Sequence, residues 1–115
     1  MDEASRHARL IAQFASDRQA SEIVILDMRQ ALGVADFFVI ASGRSTRQVQ
    51  AIAEHVWESY EGQGGRVWHV EGLREGMWVL LDCGDIIVHV FHPQMRHFYG
   101  LERLWGDMPR LSLPA

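Results

Sequence analysis

The sequence predicts an α/β domain, a mixed five-stranded sheet with flanking helices in the order α-β-β-α-β-β-β-α. Three observations predict it. Residues 77–81 and 86–91 are apolar runs flanking Asp82-Cys83-Gly84-Asp85, the pattern of a β-hairpin whose tight turn uses Gly84 at positive φ. Residues 45–60 carry the clearest helical period of the chain. Before them, residues 23–26 and 37–41 are short continuous apolar runs, as strands buried on both faces require.

In chain order, residues 4–16 form the first predicted helix, with a modest stripe of Ala8, Leu10, Ile11, Phe14 and Ala15. The run at 23–26 is β-branched and closes at Asp27, and Gly33 lies in the connection to the second strand at 37–41. The chain then turns through Ser42-Gly43-Arg44. Ser45 and Gln48 have capping-box spacing, each side chain positioned to take an orphan backbone N–H. Val49, Ile52, Ala53, Val56, Trp57 and Tyr60 share one face of the following helix, so it packs on the sheet. Gly62, Gly64 and Gly65 end it. A third strand is expected at 67–70, and 71–76 is a polar, turn-prone connector. After the hairpin, Pro93 suits the first position of a last helix, because its fixed φ is helical and its missing N–H has no partner to lose. The step from second to third strand permits a parallel pair and the hairpin an antiparallel one, hence a mixed sheet. Residues 1–107 are expected to form one domain. Residues 108–115, with Pro109 and Pro114, are expected to be a loosely ordered tail.

A chain of 115 residues with 48% hydrophobic content is long enough to bury one core without metal or disulfide support. Cys83 is the single cysteine, which excludes an internal disulfide and a cysteine-based zinc site. No apolar run approaches the ~20 residues of a membrane span. Met1-Asp2-Glu3 lacks the basic and apolar regions of a signal peptide, so a cytoplasmic protein is expected. The net charge is −4, and all 11 Lys and Arg positions are arginines, dispersed along the chain. Nucleic-acid affinity rests on a concentrated positive footprint, and none is present. A basic protein partner suits this balance better.

Each constellation with chemical potential has an ordinary competitor. His89 and His92 resemble a ligand pair, but three residues apart on a strand they point to opposite faces. A strand histidine and a helix-capping one explain them as well, and no metal or cofactor is expected. Asp27, Asp82 and Asp85 suit oxygen coordination of Mg²⁺ or, equally, strand ends and a turn. Nothing pairs Cys83 with a base at a recognisable spacing. Gly43-Arg44-Ser45 at a strand-to-helix junction has the form of an anion-binding helix start, although Ser45 already has a role as the cap.

The stretch 77–105 carries more aromatic surface than one helix face needs. Along the hairpin strand, Met77, Val79 and Leu81 share one face while Trp78 and Leu80 share the other. The last helix carries Met95; its Phe98 and Tyr99 can pack inward, while Leu101, Leu104 and Trp105 extend round the cylinder. Exposed, they would form an interaction patch; covered by helices on both sheet faces, they would be core.

The segments IVILDMR, ADFFVIASGRSTRQVQAIAEHV and HVEGLREGMWVLLDCGDIIVHVFHPQMRHFYGLERLW resemble the ribosomal silencing factor, or Iojap-related, family. The combination EG-x(5)-W, D-x-GD-x-(I/V)VH and Y-x-LE-x-LW is specific, because no single fold requirement produces all three. The resemblance implies a nucleotidyltransferase-like fold without the catalytic carboxylate motif, and no enzymatic activity. It implies binding to ribosomal protein fourteen of the large subunit at the intersubunit face. Subunit joining would then be blocked and translation repressed under nutrient limitation. It also implies a homodimer when free. The alternative from the residues is a nucleotidyltransferase-like enzyme binding Mg-nucleotide through Gly43, Ser45 and the aspartates.

The motif tryptophan of the family falls on Trp78, its turn aspartates on Asp82 and Asp85, its strand histidine on His89 and its EG glutamate on Glu71. Its helix signature falls on Arg96, Tyr99, Leu101, Glu102, Leu104 and Trp105. The resemblance places all of these in the partner-binding face, with Glu71, Asp82 and Glu102 toward basic groups, an arrangement that mainly sets orientation and on-rate. Gly100 stands where the family usually has a polar or acidic residue. Glycine inside a helix costs about 0.5–1 kcal/mol relative to alanine, so a kink or break is expected there.

Overall fold

The structure is a computed structural model describing residues 2–31, 33 and 35–113, without the side chains of Phe98, Tyr99 and Leu101. The elements are α1 (Glu3–Asp17), β1 (Ser21–Asp27), β2 (Phe37–Ser42), α2 (Thr46–Gly62), β3 (His69–Glu71), β4 (Trp78–Asp82), β5 (Ile86–Phe91), α3 (Pro93–Tyr99), α4 (Leu101–Leu104) and β6 (Arg110–Leu111). They form one mixed sheet in the order β3-β4-β5-β2-β1-β6.

The α/β class and the hairpin follow the sequence pattern. Trp78 pairs with Phe91 and Asp82 with Ile87, antiparallel, and the turn closes with the Cys83 N–H donating to the Ile86 carbonyl at 2.9 Å. The expected five strands become six. Arg110–Leu111 pairs with Ile25 and Leu26, so the expected tail supplies an edge strand. The parallel partner of β2 is β5 and not the third strand. Residues 71–76 turn the chain back as a second hairpin, so β3 pairs antiparallel with β4 and takes the edge.

α1 and α2 cover one face. Ala8, Ile11 and Ala15 of α1 and Val49, Ile52 and Val56 of α2 are buried against Ile25, Phe37, Val39, Val79, Leu81, Val88 and Val90. The capping expectation holds at Ser45, whose hydroxyl accepts the Gln48 N–H at 3.1 Å. The return bond differs. Gln48 Oε1 accepts from the Arg44 N–H, one residue before the cap, while its Nε2 reaches the carbonyls of Arg18 and Gln19 beyond α1. The cap thereby also ties α1 to α2.

The last helix breaks where glycine predicted it. Gly100 adopts φ 60, ψ 41 as the left-handed C-cap of α3, its N–H donating to the Arg96 carbonyl at 3.0 Å. α4 begins at the next residue as a separate helix, and no described helix is long and apolar enough to cross a membrane.

Candidate interaction surface

Residues paired across a ladder share a face. The register therefore places His69 and Glu71 of β3, Trp78, Leu80 and Asp82 of β4, Ile87, His89 and Phe91 of β5, and Phe38, Ile40 and Ser42 of β2 on the face opposite α1 and α2. Met95, Trp105 and Met108 pack over Leu26, Met28, Phe38, Ile40 and Phe91, closing the β1–β2–β5 half. The β3–β4 half is left half-open. Trp78, Leu80, Asp82 and Ile87 are partly exposed there, with Glu71 and His69 exposed at the rim and joined by a 2.9 Å contact.

Trp78 is anchored inside this half. Its ring stacks on Phe91 at 5.1 Å between centroids and 25° between planes, and its Nε1–H donates to His89 Nδ1 at 3.1 Å. His89 itself is 4% exposed and lies edge-on to Phe38 at 4.8 Å. Burial pushes its pKa down to about 4, so the ring is neutral near pH 7.

Arg96 also lies inside, at 8% exposure. Its guanidinium donates through Nε to Glu102 Oε1 and through a terminal nitrogen to Ser42 Oγ, both at 2.8 Å. This bridge holds α3 and α4 against the end of β2, and the Arg96 bond keeps the Glu102 carboxyl below its ordinary range. Glu102 thus faces Arg96, and Arg110 at 4.0 Å. Leu104 is 67% exposed, and Trp105 is partly buried over the second core. The side chains of Tyr99 and Leu101 fall outside those described. Beside the bridge a cleft of about 360 Å³ is lined by Ser42, Arg96, Glu102, Glu22 and Arg103, whose charges oppose one another.

The residues weighed for catalysis do not converge. Asp27 shares the helix-covered face with Ile25 and is held by Arg29, which also pairs with Asp2 at 2.7 Å. Asp82 lies on the other face, three strands away, and accepts the Gly84 N–H at 2.9 Å. Asp85 is an exposed turn residue whose carbonyl receives the N–H groups of Asp36 and Phe37. Among the described residues no three His, Cys, Asp or Glu side chains are grouped to hold a metal ion. Gly43 has a packing role, since a Cβ there would lie 2.8 Å from the Val49 nitrogen. Burial pushes the Cys83 thiol up to about 12, so it stays protonated. His92 caps α3, its side chain accepting the Gln94 N–H at 3.3 Å.

With this geometry in place, comparison with known proteins is decisive. The model of the RsfS family, "ribosomal silencing factor during starvation", matches residues 1–115. The chain belongs to the RsfS family. The ribosomal silencing factor RsfS of Bacillus subtilis is 44% identical over 105 residues, covering 91% of this chain and 89% of that protein. A crystal structure of a protein from Chromobacterium violaceum superposes with a TM-score of 0.89 at 32% identity, covering 99% of this chain and 94% of that one. A more distant mouse relative, "mitochondrial assembly of ribosomal large subunit protein 1", is 27% identical over 99 residues, covering 84% of this chain and 43% of that protein.

In this RsfS-family chain, the motif residues occupy three settings. Trp78, Asp82, Glu71, Asp85 and Leu104 reach the surface to differing degrees; His89, Arg96 and Glu102 serve contacts within the chain; Trp105 joins the two. Sequence reasoning missed Ser42 and Ile87. Ser42 closes a uniformly apolar run, and its position opposite Phe91, facing Arg96, depends on β2 pairing with β5.

Proposed function

We propose that this chain is a steric anti-association factor: it binds the large ribosomal subunit through ribosomal protein fourteen at the intersubunit face and blocks subunit joining, repressing translation under nutrient limitation. The observation that carries this reading is the half-open β3–β4 surface. There, a partly exposed Trp78 sits with Leu80 and Ile87 inside a rim containing Glu71 and Asp82. An apolar centre around an aromatic anchor with a charged border is the anatomy of a binding hot spot. An acidic rim suits a basic partner, in keeping with the chain's net charge of −4. The name of the mouse relative supports the large subunit as the target.

Within this proposal the accessible contacts are Glu71, Trp78, Asp82 and Leu104, and Arg96, Glu102 and His89 shape the surface from behind. The chain acts without catalysis on a nucleotidyltransferase-like sheet, the candidate aspartates being engaged in structural contacts on both faces. Free protein would self-associate through the same apolar surface or the short β3 edge, beside which Trp68 is 62% exposed beneath Arg66. Co-sedimentation with isolated large subunits followed by a subunit-joining assay tests the reading. Trp78→Ala is expected to fold and to lose roughly 30-fold or more in affinity, the scale of a tryptophan hot spot. A folded Trp78→Ala protein that binds and blocks joining like the parent would remove this surface from consideration.

A further inference from the structure

The Trp78 ring is fixed by more than packing. Phe91, its direct cross-strand partner, sets the plane of the indole by stacking at 25°. Stacking on one face does not by itself distinguish the two orientations of the indole related by a half-turn about χ2. His89, two residues earlier on β5 and diagonal to Trp78, sets the direction through the 3.1 Å bond from the indole Nε1–H to Nδ1.

An indole N–H only donates, so Nδ1 must be the unprotonated nitrogen and the proton resides on Nε2. That Nε2 is buried and has no hydrogen-bond partner among the described residues. A buried donor without a partner is unfavourable, and an aliphatic side chain in the space between Phe38 and Phe91 would avoid it. For stability, the orphaned Nε2–H offsets the bond that Nδ1 accepts, so an imidazole has little net advantage there over an aliphatic side chain. What an imidazole supplies, and leucine or valine cannot, is an acceptor aimed at Trp78.

We propose that His89 is a positioning residue for binding, holding Trp78 in the orientation in which it docks on the ribosomal partner. This rests on the reading of the β3–β4 surface given above. Preorganising a large aromatic anchor reduces the ordering cost of association, so the benefit of His89 is expressed in affinity more than in folding.

The experiment uses the full chain, isolated large subunits in a pelleting titration, and ¹⁵N-tryptophan spectra in which the Trp78 indole resonance is assigned by its absence in Trp78→Phe. His89→Leu removes the acceptor; His89→Asn places an amide oxygen close to where Nδ1 stood. His89→Leu is expected to be at least as stable as the parent near pH 7, to shift the Trp78 indole resonance, and to bind about tenfold more weakly, or about 1.4 kcal/mol. His89→Asn is expected to recover most of that affinity. Parent-like binding by His89→Leu, or a loss that His89→Asn does not recover, overturns the proposal. Should His89→Leu not fold, His89→Val decides, since it also removes the acceptor and leaves Trp78 intact. Binding weaker than that of His89→Asn supports the proposal, and parent-like binding overturns it. The surface and the role of His89 fail in different ways. If the surface is misassigned, Trp78→Ala binds normally; if only His89 is, Trp78→Ala is weak while His89→Leu is not.

Discussion

Ile25, Phe37, Val39, Val79, Val88 and Val90 meet two long helices across one face of the sheet, whereas Leu26, Phe38, Ile40 and Phe91 on the other meet Met95 of the short α3 and, from the chain beyond α4, Trp105 and Met108. The first face is almost wholly apolar, its one charged side chain being Asp27 at the end of β1. On the second, the buried groups include Ser42, His89 and Arg96, each linked by a hydrogen bond to a neighbour. Apolar contact is tolerant of direction, and hydrogen bonds are not. The closed face accordingly supplies most of the stability, and the second supplies a particular arrangement of Trp78, α3 and α4.

The largest effect that tests this division is expected on the closed face. Ile52 of α2 is fully buried against β-sheet residues and touches none of the second core. Ile52→Ala removes buried methylene groups and leaves a cavity, which should lower stability by about 2–5 kcal/mol in urea unfolding. Affinity for large subunits, measured below the unfolding transition, should stay within about twofold of the parent. A large affinity loss in the folded variant would show that the faces are coupled and the division is wrong.

A smaller effect comes from His89. The unfolded chain takes up a proton there as pH falls below about 6.5, while the folded chain resists until about 4. The unfolded state thus binds more protons in this window, so stability falls as pH is lowered through it, by about 2 kcal/mol between pH 7 and pH 5. Carboxylates held low by their partners, Asp2, Asp27 and Glu102, lose their contribution only at lower pH, through and below the ordinary carboxylate range. Urea midpoints at pH 7 and pH 5 separate the two. His89→Leu should flatten this part of the profile, and an unchanged slope would mean that His89 is not the group responsible.

How much of this was readable in the chain depends on the range of the forces involved. The helix stripe from Val49 to Tyr60, the hairpin around Gly84 and the split of Trp78 from Val79 follow from local periodicity, and each is present. The parallel pairing of β2 was misplaced because a two-strand excursion, β3–β4, lies between α2 and β5; nothing local distinguishes a crossover strand from an edge hairpin. β6 is two residues long, too short to carry a period, and exists because Arg110 and Leu111 find an open β1 edge. The site was readable as far as its outward residues. Arg96 was expected in the partner-binding face, yet it is buried on Ser42, 54 positions away, and no local pattern announces such a bond. His89 likewise became a support because Trp78 arrives from the neighbouring strand.

The smallest expected effect lies at Gly100, whose backbone conformation separates α3 from α4. Its φ of 60° is comfortable for glycine and costs an L side chain roughly 1 kcal/mol. A Cβ would lie 3.9 Å from Arg103 Cβ and from the His97 carbonyl, ordinary contacts, so sterics against neighbours add nothing. Gly100→Ala should therefore lower stability by about 1 kcal/mol, with Gly100→Asn between the two because asparagine tolerates the left-handed region better. The break matters because it turns α4 so that Glu102 meets Arg96 from outside α3. If residues 93–104 could instead run as one straight helix, alanine would raise stability and the Arg96–Glu102 bond would be lost. Urea unfolding of the three proteins distinguishes these outcomes, and the order Gly, Asn, Ala in decreasing stability is the one that requires the broken helix.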